Sequence, residues 1–148
     1  MLKETLKELF SRDLKKLKVE IDAYNDEQSM WLVSGIINNS GGNLCLHIIG
    51  NLKTYIGCGL AKIEYLRDRE FEFSGKNVER SRLLKEIDET IDIVFQGLDN
   101  LSANMLNDNF PIIIWEEEKR MDFTLIHLHA HLNYHLGQIN YHRRMLDK

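Results

Sequence analysis

Apolar side chains recur at steps of three and four residues in four long segments of the chain, which is the spacing of one face of an α-helix. No segment shows the sustained two-residue alternation of a half-buried strand. The pattern therefore predicts an all-α four-helix bundle. The predicted helices are Leu2–Tyr24, a stretch from Ser40 to about Gly59, Ser81–Leu101, and a stretch from about Asp122 nearly to the C-terminus.

The connections between these helices are predicted from breaks in the same pattern. Ser40 follows an irregular segment and can cap the second helix, while Gly57 and Gly59 indicate its end. Tyr65–Val78 has no sustained periodicity and is predicted to be a loop or short irregular turns, long enough for a crossover between helices two and three. Asn107–Trp115 contains Pro111 and is predicted to be extended and to pack across the bundle.

Composition limits the class of protein. With 148 residues, 43% of them apolar, residues 1–148 form a single predicted domain that can fold without a disulfide or a metal. The formal charge of −4, with no basic cluster interleaved with aromatics, argues against nucleic acid as a partner. No apolar run approaching a membrane span is evident, and Glu4 interrupts the apolar start that a signal peptide needs. The expected location is the cytoplasm.

The two cysteines agree with a reducing compartment. Cys45 and Cys58 fall in one predicted helix and lie about 20 Å apart along its axis, too far for a disulfide. Free thiols are therefore expected.

Four of the six histidines lie on one strip of the fourth helix. At 100° per residue, His127, His135 and His142 all fall within about 40° of His131, and the strip borders the buried leucine face. Histidines four residues apart can reach one metal ion from the same side. His47 is the only histidine outside the C-terminal segment, and a bundle that faces helix two against helix four makes it the third ligand.

Two ligands from one helix and one from its neighbour leave open coordination positions, which is the arrangement of a catalytic metal site. The residues alone leave other interpretations open. The strip can instead be a hydrogen-bonded polar layer in the core, or a dimer face that responds to pH.

Two motifs carry a resemblance to a known family. The segment His131–Tyr141, read with Leu44–Leu52, resembles the DinB-like superfamily, in particular a branch of small bacterial proteins without an assigned function. Tyr65–Phe73 is similar to a loop of that branch, and the resemblance covers nearly the whole chain. It implies a four-helix bundle with a crossover, commonly a homodimer, in which one divalent ion is held by three histidines. Those positions are here His47, His131 and His135.

The resemblance also suggests a chemistry. Relatives of this fold include bacillithiol S-transferases and mycothiol-dependent isomerases, in which the metal is thought to activate a low-molecular-weight thiol. Three neutral imidazoles leave the charge of a divalent ion uncompensated, which favours an anionic thiolate or hydroxide at the open position. The ligand set suits zinc, nickel, iron or copper and does not distinguish a transferase from a hydrolase.

Further residues are candidates for a supporting role. Gln138 and Asn51 each lie about one turn beyond a predicted ligand and can hold an imidazole or a bound water by hydrogen bonding. His127 is a candidate fourth ligand or a partner to one, whereas His142 is too far along the helix axis to share the ion. The run Arg67–Glu70 either recognises an anionic substrate or is a solvated loop with internal ion pairs.

The leading functional hypothesis is a metal-dependent enzyme, a thiol S-transferase or a hydrolase, that activates a small thiol or water against a small electrophile. Its partner is then a small molecule, and detoxification is the expected context. The alternative is a noncatalytic dimeric bundle that binds metal or ligand for a structural or sensory purpose. A third hypothesis is a degenerate member in which the histidines only fill core space.

Overall fold

A computed structural model describes residues 2–148, and these contain helices, turns and loops with one isolated bridge between Asn109 and Arg120. Four long helices form a bundle, so the predicted all-α four-helix bundle is confirmed. The helices are α1 (Leu2–Asp22), α2 (Gly41–Leu52) with a π-helical continuation (Lys53–Ala61), the short α3 (Arg69–Ser74), α4 (Arg80–Asp99) and α5 (Met121–Leu146). Two short 3₁₀ segments, Glu27–Trp31 and Ala103–Asn107, lie in the connections.

The core is the meeting point of the apolar faces that the sequence predicts. On α1, every third or fourth residue is at most 2% exposed, namely Leu6, Phe10, Leu14, Leu17 and Ile21. These side chains join apolar residues of α2, α4 and α5 in one buried cluster. Burial of such side chains is the main favourable term that holds a bundle together.

The order of the helices follows from the pairs of residues that meet between them. Helix α1 is antiparallel to α4 and parallel to α5, while the continuation of α2 is parallel to α4. The pairs are Lys7–Asp99 and Lys18–Asp88 for α1 with α4, Asp13–His129 and Glu20–Asn140 for α1 with α5, and Lys53–Glu89 and Asn100–Leu60 for the continuation with α4. Because α2 and α4 are parallel, the chain must return along the bundle between them. The crossover predicted between the second and third long helices, which are α2 and α4, is confirmed.

The crossover is the region where the local predictions need correction. Within the predicted loop Tyr65–Val78, the residues of α3 form a helix that Asp68 caps by accepting a hydrogen bond from the Phe71 amide at 3.0 Å. The side-chain amide of Asn43 on α2 donates to the carbonyls of Glu72 and Gly75, at 3.1 and 2.8 Å. These tertiary bonds hold α3 in place where periodicity gives no signal.

The second helix also runs further than its glycines indicate. Ser40 caps it as predicted, accepting from the Asn43 amide at 3.2 Å, but the helix continues past Gly57 and Gly59 to Ala61. A Cβ on Gly57 would come within 2.9 Å of the Ile63 side chain, so close packing explains this glycine.

The segment 107–115 forms no strand. Its Phe110 is 4% exposed and packs into the core, as the prediction of a segment that crosses the bundle requires.

One helical stretch among residues 2–148, Gly41–Ala61, is long and apolar enough to cross a membrane. Of its most apolar 18-residue window, 83% is buried inside the bundle. The sequence prediction that no apolar run approaches the length of a membrane span is wrong for this stretch. Few of its polar residues are charged, so they interrupt the run without making the helix hydrophilic. A mostly buried helix of this kind is typical of the core of a soluble protein.

Candidate metal centre

Three histidines from two helices converge on one point between α2 and α5. The Nε2 atom of His131 lies 3.2 Å from His47 Nε2 and 3.1 Å from His135 Nε2. One nitrogen of each ring lies within 4.8 Å of the others, and His47 is only 6% exposed. The structure thus brings together the three residues that the resemblance assigns as ligands, one from α2 and two from successive turns of α5.

The outer nitrogens of two of these rings bind acceptors, which fixes where the protons lie. His47 Nδ1 is 2.9 Å from Glu72 Oε1, and His135 Nδ1 is 2.7 Å from Gln138 Oε1. A carboxylate or amide oxygen accepts a hydrogen bond, so each Nδ1–H donates and each Nε2 keeps its lone pair in the neutral ring. Two lone pairs are therefore directed at the third imidazole.

Glu72 is the buried anion behind His47. It is 4% exposed, and Arg67 donates to both of its oxygens, from Nε to Oε2 at 2.8 Å and from Nη2 to Oε1 at 2.9 Å. Burial acts to raise the pKa of Glu72, but hydrogen bonds from His47 and Arg67 outweigh it, and the pKa lies below its ordinary value. The carboxylate stays ionised and orients the ring, as outer partners of histidine ligands do.

The two histidines of α5 are held in their neutral form. Burial is the largest cause that lowers the pKa of His131, to about 4, and the neighbouring His135 and His47 lower it further. Burial likewise lowers the pKa of His135. At neutral pH these rings are uncharged, so a metal ion would not have to displace the second proton of an imidazolium.

This donor set fits a divalent transition-metal ion. Two imidazole nitrogens bound to one tetrahedral zinc ion at about 2.0–2.1 Å lie roughly 3.3 Å apart, close to the spacing of the two Nε2 pairs here. Neutral imidazoles suit zinc, nickel and iron alike. Three histidines leave at least one position for a further ligand.

Of the two residues predicted to support the ligands, Gln138 and Asn51, only Gln138 contacts an imidazole. Gln138 makes the predicted contact with His135. Asn51 does not hold an imidazole, because Glu72 occupies the outer nitrogen of His47, and the Oδ1 atom of Asn51 is buried without a hydrogen-bond partner among residues 2–148. Asn51 therefore does not orient His47, and its predicted role toward a bound water or a substrate stays a prediction.

The other three histidines lie outside the triad. His127 packs edge-on against Trp115, with ring centroids 4.6 Å apart, and is not part of the three-ligand group. His142 binds the Tyr24 hydroxyl at 2.7 Å, which agrees with its predicted distance from the ion. His129 faces α1.

Sequence reasoning missed Glu72 and the role of Arg67. Arg67 belongs to the run Arg67–Glu70, but it is half-buried and paired with Glu72, so it is not part of a solvated loop. The only local signal was an acid and a base five residues apart in an aromatic segment. Their position behind His47 depends on the crossover.

A pocket of about 340 Å³ opens beside His47 and His131. It lies between α2, the crossover and the segment before α5. Its other lining residues are Asn51, Tyr55, Arg67, Arg69, Ile114, Trp115, His127 and Leu128.

The fold and the site define a class: an up-down-down-up helical bundle with a three-histidine group that can hold a metal ion. The chain belongs to the family described as protein of unknown function (DUF1572), whose model matches residues 2–148. No curated protein matches the chain.

Proposed function

We propose that this chain is a DinB-like metalloprotein in which His47, His131 and His135 bind one divalent transition-metal ion and the adjacent pocket binds a small molecule. The single observation that carries the proposal is the convergence of three Nε2 atoms, two of them with fixed lone pairs. In a metal-free core the single Nε2–H of His131 could fully satisfy only one of these two lone pairs, and an unpaired polar atom in such a site is costly.

The proposed reaction is activation of a thiol or of water against a small electrophile. A bound divalent ion lowers the pKa of a thiol or water at its open position. The residues of the chain shape the site. Glu72 and Gln138 orient the rings of His47 and His135, and Trp115 lines the adjacent pocket. The charge of Glu72 is shared between His47 and Arg67, so it supports the site without serving as a base.

A second candidate function is noncatalytic binding of a metal or ligand. It is favoured by one observation: the pocket lining within residues 2–148 contains no carboxylate, and the adjacent Glu72 is fully engaged. A thiol-transfer reaction needs no separate base when the metal itself activates the thiol, so both functions fit this pocket.

Several properties stay predictions. These are the homodimer, the cytoplasmic location, the absence of nucleic-acid and membrane partners, and the choice among zinc, nickel and iron. A small thiol as the partner is part of the proposal.

Metal analysis of protein purified without an affinity tag or chelator tests the metal site. We expect about one transition-metal ion per chain, and a marked loss of metal in His47→Ala and His135→Ala with an unchanged helical circular dichroism spectrum. Metal-free wild-type protein that also fails to take up added zinc or cobalt would contradict the proposal and favour histidines that only fill core space.

Turnover separates the two candidate functions. The metal-loaded protein is incubated with small thiols and with halogenated or epoxide electrophiles, and loss of the thiol is followed. Thiol consumption that disappears in His47→Ala supports the enzyme. Stoichiometric metal binding without turnover supports the noncatalytic binding protein.

A further inference from the structure

The pocket beside the three histidines has a one-sided charge. Two guanidinium groups, those of Arg67 and Arg69, line it together with histidines, and no aspartate or glutamate of residues 2–148 does so. Glu72 compensates Arg67 from behind. A divalent ion at the histidines would add to the positive potential, and a positive concave site concentrates anions.

Arg69 supplies the uncompensated charge. It is exposed, makes no ion pair with any carboxylate of residues 2–148, and lies 5.5 Å from the centre of the Phe73 ring. Stacking on an aromatic ring limits where the guanidinium can go without neutralising it. The charge is thus held at the pocket and stays available to a ligand.

Asn51 lines the pocket and has a side-chain oxygen without a hydrogen-bond partner among residues 2–148. The residue is 8% exposed, and its Oδ1 atom is buried without a partner. Buried amide oxygens in native proteins are almost always paired. Because Asn51 also lines the pocket, a ligand hydroxyl or N–H that reaches its side-chain amide can supply the missing partner.

The remaining wall is apolar. Ile114, Trp115 and Leu128 line it, and the edge-on contact with His127 fixes the indole of Trp115. An aromatic and two aliphatic side chains bury a short hydrocarbon body.

We propose that this pocket selects a small organic carboxylate, with its anionic group at Arg69, a hydroxyl or N–H at Asn51, and a short apolar body against Trp115. This inference rests on the proposed function, because it describes the substrate that would reach the histidine-bound ion. Applied to a thiol substrate, it predicts a thiol that also carries a carboxylate.

The test uses cobalt-loaded protein and two thiols of equal length, 3-mercaptopropionate and its neutral amide, 3-mercaptopropionamide. Binding is followed by the change in the cobalt absorption spectrum at fixed pH. We expect at least tenfold tighter binding of the carboxylate to the wild-type protein. In Arg69→Met the preference should fall below threefold, while the matched control Arg82→Met, an exposed arginine of α4 outside this pocket, should keep it.

The Asn51 contact has its own probe. Adding a hydroxyl to the first thiol, as in 3-mercaptolactate, should improve binding about threefold in the wild type and leave it unchanged in Asn51→Leu.

Two results would overturn the inference, and they differ in what else they overturn. Equal affinity for the acid and the amide in protein that binds cobalt removes the anion selectivity but leaves the metal site. Failure to bind cobalt removes both the proposed function and this inference.

Discussion

Helix α5 contributes to two partly buried histidine clusters on opposite sides, and only one of them is arranged to receive a ligand. On the α1 side, Asp13 is fully buried and its Oδ2 accepts directly from His129 Nε2 at 2.7 Å and from Asn133 at 2.8 Å. On the α2 side, the carboxylate of Glu72 binds the outer nitrogen of His47. In the first cluster the histidine and the carboxylate form a closed hydrogen-bonded pair, whereas in the second the Nε2 lone pair of His47 stays free to bind a ligand.

The comparison shows that a histidine beside an acid is not enough to make a ligand site. What differs is the imidazole nitrogen that binds the carboxylate, which is Nε2 in His129 and Nδ1 in His47. In the cluster around Asp13, Arg12 donates to the other carboxylate oxygen, Oδ1, at 2.8 Å, so both oxygens of Asp13 have partners. Such a network stabilises the bundle and leaves no free atom to coordinate a ligand. In the Glu72 cluster the inner nitrogens face one another, and a metal ion would satisfy them.

The largest expected effect separates the two clusters by metal affinity. His131→Ala should weaken metal binding by more than the ~100-fold that is the usual upper value for an outer partner, because a direct ligand is lost. His129→Ala, two residues away on the other side of α5, should retain the affinity. Isothermal titration with zinc measures both; comparable losses in the two variants would contradict the comparison.

The next effect concerns the two carboxylates. Glu72→Gln should lower metal affinity about 10- to 100-fold, since the charge that orients His47 is removed while the shape is kept. Asp13→Asn is the matched control and should leave zinc affinity unchanged. A Glu72→Gln protein with wild-type affinity would show that the carboxylate serves only to hold α3 in place.

The same Asp13→Asn variant should lower the free energy of unfolding by roughly 1–3 kcal/mol at neutral pH, as expected for a buried hydrogen-bonded charge that loses partners. Burial acts to raise the pKa of Asp13, but bonds from Arg12, Asn133 and His129 dominate and bring it far below its ordinary value.

The lowered pKa gives this effect a pH dependence with a definite sign. The stabilisation is complete above the unfolded pKa near 4 and is lost as the pH falls toward the folded pKa. Lys16 is the further charged group that faces Asp13, at 3.7 Å. Urea unfolding between pH 2.5 and 7 should show the wild-type advantage shrinking below about pH 4. A constant advantage would exclude ionised Asp13 as its source.

The smallest expected effect compares two helix glycines, one beside each cluster. A Cβ on Gly137, in the groove between α1 and α5, would meet no atom within 4 Å, so Gly137→Ala should stabilise the protein by about 0.5–1 kcal/mol. A Cβ on Gly50 would overlap Glu72 Oε2, so Gly50→Ala should lower both stability and zinc affinity. Thermal unfolding and zinc titration check the pair; the same sign in both variants would contradict it.

The sequence predicts the bundle and the His131–His135 pair because both depend on helical spacing, whereas His47 was found as the only histidine outside the C-terminal segment and through the family resemblance. The apolar residues of α1 and α5 recur at the helical period, and His131 and His135 are one turn apart on a helix. Asp13 was also detectable, since it lies three residues after Phe10 and four before Leu17 on the apolar face of α1.

The partners across the site could not be predicted in the same way. Glu72 reaches His47 only because Asn43 holds α3 against α2 and because Gly50 leaves room for the carboxylate. These are contacts between distant residues, and no local period encodes them. The same holds for Asn51, whose place one turn beyond His47 indicated a support that Glu72 instead provides.

The parallel order of α2 and α4 means that one wall of the ligand pocket belongs to the connection between them and lies outside the bundle core. Arg67, Arg69 and Glu72 all lie on this connection, whereas His131 and His135 belong to a core helix. On the proposed function, substitutions in the connection would thus change which compound binds without repacking the hydrophobic interior.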